Sequence, residues 1–136
     1  METYTVDANA VLVYLVDALP AGADRLFGRA ETGEVRLELP TIAAIETVYQ
    51  AQKGVTVRGQ RLAADAVDIV DALDRQLPLT VVADDETLLR EVVSLLDPFP
   101  RQIHDATIVA SHRARDTDAI VTADERMADV ARTVWD

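Results

Sequence analysis

The 136-residue sequence contains no cysteine, which excludes disulfides and thiolate metal sites and agrees with a reducing cytosol. Long apolar runs are missing too. The longest, Ala10 to Val16, is seven residues, far short of the ~20 that a membrane-spanning helix needs. The opening Met1-Glu2-Thr3 carries no basic n-region, so no signal peptide is expected. The expected location is the cytoplasm, with no membrane attachment. Lysine is nearly absent: Lys53 stands alone, and the other twelve bases are arginines, against 24 acids. The net charge of −11 keeps a chain soluble but makes its surface self-repelling at low salt. It also opposes nucleic-acid binding unless arginines cluster or salt screens the field. A high-salt cytosol and an ordinary acidic protein both account for this balance.

Hydrophobic residues make up 49% of the chain, enough for a core, and the length suits one domain over residues 1–136. No repeat or low-complexity segment appears. Apolar runs of strand length alternate with helical ones. Strands are expected near Thr3–Val6, Val35–Leu39, Leu79–Val82, Ala119–Val121 and Thr133–Trp135. Helices are expected near Asn9–Leu19, Ala21–Glu31, Ile42–Lys53, Gln60–Gln76, Asp85–Leu96, Ala106–Arg115 and Glu125–Val130. Pro20, Gly33, Pro40, Gly54, Gly59, Pro78, Pro98 and Pro100 fall between them as breakers. Such alternation predicts an α/β fold with a mainly parallel sheet covered on both faces. Right-handed crossovers then bring the C-terminal ends of the strands to one edge, where open α/β folds place their ligands.

Four acids matter for that edge. Asp7 stops the first strand in "TYTVDANAVLVYLVD", Asp124 follows the short strand "AIV", and Asp105 stands at a helix start in "IHDATIVASH". Taken singly, each reads as a helix N-cap or a first-turn acid favoured by the helix dipole. Glu46, in "TIAAIETVYQ", shares a helical face with Ile42 and Tyr49; taken singly, it is a boundary residue reaching water. In a parallel α/β sheet the four positions converge. Four carboxylates in one cleft repel and raise each other's pKa. A hard divalent cation relieves that, and Mg²⁺ needs only a few carboxylates because it keeps several waters.

The layout resembles the PIN-domain family, more narrowly a VapC-type toxin of a type II toxin–antitoxin system. The resemblance rests on "DANAVLVYL", "TIAAIETVYQ", "HDATIVASHRARD" and "AIVTADERM", and it covers nearly the whole chain. It implies a three-layer α/β/α sandwich with about five strands in a mainly parallel central sheet. It also implies a Mg²⁺- or Mn²⁺-dependent endoribonuclease. Asp7, Asp105 and Asp124 would hold the metal, with Glu46 joining them or orienting the attacking water. Asn9 and Thr122 match polar residues that accompany the acids and would steady them. Homodimers and a cognate antitoxin are the partners implied, with RNA as substrate. The high acidity departs from many members, which are more basic. An RNA-maturation nuclease and a non-catalytic scaffold or RNA-binding protein of the same fold remain the alternatives.

His104 and His112 are eight residues apart, too far to chelate from one helical turn, and His112 reads as a packing or surface residue. Arg25, Arg29, Lys53, Arg58, Arg61, Arg113 and Arg115 are the candidates for phosphate contact, with solvated surface as the plainer role. Asp65, Asp68 and Asp71 read as an acidic solvated helix face. Leu26, Phe27 and Tyr49 read as residues for partner contacts or for the core. A phospho-receiver domain would need a late-strand Lys, and a haloacid-dehalogenase-type phosphatase an Asp where Asn9 stands, so neither is expected.

Overall fold

A computed structural model describes all 136 residues. In chain order the elements are β1 (Glu2–Val6), α1 (Ala8–Leu15), α2 (Ala21–Glu31), β2 (Val35–Pro40), α3 (Thr41–Lys53), β3 (Val55–Val57), β4 (Gln60–Leu62), α4 (Ala66–Arg75), β5 (Thr80–Val82), α5 (Glu86–Val93), α6 (Ile103–Arg115), β6 (Ala119–Val121), α7 (Glu125–Ala128) and β7 (Thr133–Val134).

Five strands form the central sheet in the order β5-β2-β1-β6-β7. All four pairings are parallel, with Thr5 opposite both Glu38 and Ile120. The expected parallel sheet of about five strands, flanked by helices, is present. From β1 the chain first builds outward through β2 to β5, then crosses back to lay β6 against the other side of β1. The strand order therefore reverses between β1 and β6, which opens a crevice at their C-terminal ends.

The core lies around this sheet. Val6, Phe27, Leu39, Val109, Ile120 and Val121 are fully buried, each worth about 1.5–3 kcal/mol of apolar burial. Leu26 and Phe27 of α2 are core residues, not partner contacts: Phe27 stacks on Tyr14 with ring centroids 4.5 Å apart. On α3 the buried face is small, made by Ala43, Ala44, Thr47 and Ala51. Ile45 and Tyr49, which belong to the expected apolar stripe, stay exposed. Small residues let α3 approach the sheet closely, and the bulky ones turn outward.

The expected helix Gln60–Gln76 is half wrong. Its first residues form β4, which pairs antiparallel with β3, Val57 opposite Gln60. Arg58 and Gly59 both have positive φ, 50° and 77°, the requirement of a tight two-residue hairpin turn. The β-branched "VTV" before that turn favours strand over helix. The hairpin packs on α1, where Gln60 Nε2 donates to the Val16 carbonyl at 3.1 Å. Helix α4 starts only at Ala66. Gly54 joins α3 to the hairpin at φ 87°, and an added Cβ would collide with the Arg61 guanidinium. Gly54→Ala is therefore expected to lower stability by about 1 kcal/mol in urea denaturation. An unchanged midpoint would show that the junction relaxes freely.

Other expected helices also shift at their ends. Helix α1 stops at Leu15, just before Asp17 turns left-handed at φ 56°, and α5 stops at Val93. Helix α6 begins three residues earlier than expected, at Ile103, which puts Asp105 inside its first turn. No helix is long and apolar enough to cross a membrane.

Candidate active site

Asp7 sits where β1 gives way to α1, on one side of the β1/β6 crevice. Its backbone is extended (φ −88°, ψ 168°) and its Oδ1 accepts the Ala10 N–H at 2.8 Å. It does cap the helix. Its other oxygen turns across the crevice, where Oδ2 accepts the Thr122 hydroxyl at 2.5 Å. Thr122 follows β6, and its Oγ1 in turn accepts the Asp124 N–H at 3.0 Å. This relay ties the end of β1 to the end of β6 and fixes the orientation of the Asp7 carboxylate.

Asp124 caps α7, its Oδ1 accepting the Arg126 N–H at 2.9 Å. Asp105 enters the same cleft from the first turn of α6. Arg126 joins the two: its Nη2 donates to Asp105 Oδ2 at 2.9 Å and to Asp124 Oδ2 at 2.8 Å.

The electrostatics follow from this geometry. Asp7 is 8% exposed. Burial pushes its pKa up to about 6, against the pull of the Thr122 and Ala10 hydrogen bonds, and the charges of Asp105 and Asp124 push the same way. Asp105 is raised as well, by burial and then by Asp124. Asp124 is lowered, chiefly by its hydrogen bonds from the Arg126 guanidinium. The three aspartates thus sense one another as like charges.

Glu46 stands further out. Its Oε2 lies 3.9 Å from His104 Nδ1, and His104 in turn draws the Asp105 pKa down. So Glu46 joins the cleft through His104 and makes no contact of its own with the three aspartates. No three acidic or histidine side chains are gathered closely enough to hold a metal ion as they stand. Thr122 hydrogen-bonds Asp7, whereas Asn9 is exposed and hydrogen-bonds to none of the acids.

Most other candidates are engaged elsewhere. His112 is a packing residue: its Nδ1 is 2.7 Å from Thr117 Oγ1, itself 2.8 Å from Thr5 Oγ1. Asp65, Asp68 and Asp71 are exposed around α4. Arg29 pairs with Glu2 and Glu34, while Lys53 and Arg58 lie over the rings of Tyr49 and Trp135. Arg61 packs against Gly54, and Arg113 donates to Ser94 and the Val130 carbonyl. Arg25 is exposed.

Two residues escaped sequence reasoning. Arg126 was hidden because its partnership with Asp105 spans two helices; its only local sign is its place two residues after Asp124. Glu38 is the other. It is 5% exposed on β2, held by Arg115 Nε at 2.6 Å and Arg36 Nε at 2.9 Å. Arg115 first, then Arg36, hold its carboxyl below the usual range. An acid inside the apolar strand "VRLELP" was the available signal.

The description of the PIN-domain family matches residues 4–133 of this sequence. The chain belongs to the PIN-domain family. Solved structures agree on the fold. VapBC2 from Rickettsia felis, crystallised with a DNA fragment from its promoter, superposes with a TM-score of 0.70 at 13% identity, over 98% of this PIN chain and 99% of that chain. A toxin–antitoxin complex from Klebsiella pneumoniae gives 0.64 at 14% identity, over 93% and 92%. VapBC-1 from nontypeable Haemophilus influenzae gives 0.64 at 14%, over 96% of each chain. No curated protein matches this PIN domain.

The donor set suits a hard divalent cation. The carboxylates of Asp7, Asp105 and Asp124 come from three elements and feel one another's charge, two of them are raised in pKa, and a cationic guanidinium already bridges two of the three. Oxygen-only donors of this kind are what Mg²⁺ and Mn²⁺ take.

Proposed function

We propose that this PIN domain is a metal-dependent endoribonuclease and the toxin of a VapBC-type toxin–antitoxin pair. The observation that carries the reading is the linkage of Asp7 and Asp124 at the ends of β1 and β6 through Thr122, with Asp105 of α6 tied to Asp124 by Arg126. Asp7, Asp105 and Asp124 would hold Mg²⁺ or Mn²⁺. Such an ion, when bound, lowers the pKa of coordinated water and neutralises charge on a phosphodiester under attack. Asp7 contributes a carboxylate whose orientation is fixed from both sides before substrate arrives. Its ionisation, opposed by burial, is favoured by any cation entering the cleft. Glu46, half-exposed beside His104, would act from the rim of the cleft, orienting a water rather than holding the ion.

RNA as substrate rests on the family. With a net charge of −11, the protein must bind a polyanion at this one cleft against its overall field, so salt should help and not hinder the encounter. A cognate antitoxin and a homodimer are the proposed partners. The full-length likeness to chains from toxin–antitoxin complexes supports the first. For the second, α3, α4 and β5 leave an apolar groove of about 900 Å³ with Ile45, Tyr49, Val70 and Val81 on its walls.

The test is incubation of total RNA with the protein in Mg²⁺, in Mn²⁺ and in EDTA, at low and high salt. Cleavage is expected with either ion and none in EDTA, with products ending in 5′-phosphate and 3′-hydroxyl. Absence of cleavage under every condition would favour the scaffold reading.

A further inference from the structure

Arg126 sits between two acids of the cleft, Asp105 and Asp124, and takes no part in holding a metal or a water. A single nitrogen, Nη2, lies 2.9 Å from Asp105 Oδ2 and 2.8 Å from Asp124 Oδ2, while Nε adds a bond to Asp124 Oδ1 at 3.1 Å. One positive centre thus sits between carboxylates from α6 and from the loop before α7. A divalent cation shared by the same two acids would sit in the space between them that Nη2 now fills. The two cannot occupy that space together, because like charges at so short a separation repel strongly.

The remaining geometry makes exchange easy. The Arg126 side chain is 51% exposed, so its route out of the cleft is open water. Its main-chain N–H bonds Asp124 Oδ1 independently at 2.9 Å, so the Asp124 cap survives when the guanidinium leaves. His104, on the other side of Asp105, is also half-exposed and turned toward Glu46, and it offers no second bridge between Asp105 and Asp124.

We propose that Arg126 is an internal counter-cation that competes with a divalent metal ion for Asp105 and Asp124. The guanidinium holds the two acids in register when metal is scarce and yields to the ion when metal is plentiful. The chain thereby sets its own threshold for metal loading. This inference rests on the metal-binding reading of the cleft, and its test separates the two.

Mn²⁺ is titrated into wild-type protein, Arg126→Gln and Arg126→Lys at low ionic strength, with heat of binding as the signal. Thermal melting in EDTA is the second readout. Arg126→Gln is expected to bind Mn²⁺ about tenfold more tightly than wild type, the size of a partly exposed charge-assisted contact removed from the competition. Arg126→Lys, a point charge without the fork, should fall between them. In EDTA the Gln variant should melt lower than wild type, and added Mn²⁺ should raise its melting point by more. Equal or weaker Mn²⁺ binding by Arg126→Gln, with wild type binding normally, overturns the competition and leaves the metal site standing. If neither protein binds Mn²⁺, the metal reading itself fails and the competition falls with it.

Discussion

Asp7→Asn is expected to abolish RNA cleavage and, at neutral pH in EDTA, to raise the unfolding free energy by about 2 kcal/mol. The two effects share one cause. Burial raises the Asp7 pKa from 3.8 to about 6. A raised folded-state pKa means that between about pH 4 and pH 6 the folded chain keeps a proton the unfolded chain has lost. Wild-type stability from this group therefore falls as pH rises through that window and is fully lost above it. Asparagine removes the charge and keeps the cap, its Oδ1 accepting the Ala10 N–H; the Thr122 hydroxyl, which now donates to Asp7 Oδ2, loses that acceptor, and the ~1 kcal/mol this costs offsets part of the ~3 kcal/mol gained by removing the buried charge. Urea denaturation from pH 4 to pH 8 checks this. The variant should overtake wild type as pH rises. Parallel curves would mean that the Asp7 charge is well solvated, and the electrostatic account of the cleft would fail.

Arg115→Met is expected to act in the opposite sense, lowering stability at neutral pH by about 2 kcal/mol. Breaking a fully buried pair from one side strands a charge, typically at about 3–5 kcal/mol; here the Arg115 side chain is 32% exposed and Arg36 remains on Glu38 at 2.9 Å, and both moderate the loss. Glu38 has a lowered folded pKa, so its contribution is present at neutral pH and lost as pH falls through that lowered value. Adding Glu38→Gln to Arg115→Met should recover much of the stability, since no bare charge is then left buried. The pair also clamps the C-terminal end of α6 to β2, and Asp105 is carried at the other end of that helix. Cleavage should weaken in the single variant and stay weakened in the double one, which regains stability but not the clamp. A single variant as stable as wild type would show that Arg36 alone satisfies Glu38.

The sequence carried the sheet well for a local reason. "TYTV", "VRLEL" and "AIV" are short apolar or β-branched runs bounded by breakers, and the structure puts β1, β2 and β6 there. Alternation with helices was enough to make the sheet parallel and to direct attention to the edge where Asp7 and Asp124 end their strands. The hairpin was missed because "QRLAADAVDIVDALD" has helical periodicity throughout, and only the left-handed Arg58-Gly59 turn pulls its first residues into β4. In the site, Asp7 and Thr122 were legible because each stands beside a strand end. Glu46 was placed closer to the aspartates than it lies, since a helical face gives a direction and not a distance. Arg126 and Glu38 depend on contacts between elements far apart in sequence, which no local pattern encodes.

Asp7 is both the cap of α1 and the most strained charge in the cleft. A cap alone would be served as well by asparagine or serine. An aspartate kept buried against a rising pKa, beside two further aspartates and an arginine that bridges them, points to a ligand for a cation. The most direct measurement is a crystal of the protein soaked in Mn²⁺, with anomalous scattering recorded near the manganese edge. The account predicts a peak in the β1/β6 crevice contacting Asp7, Asp105 and Asp124, with the Arg126 guanidinium swung out of the cleft. A fully soaked crystal with no peak there, or with manganese bound only elsewhere, would contradict it.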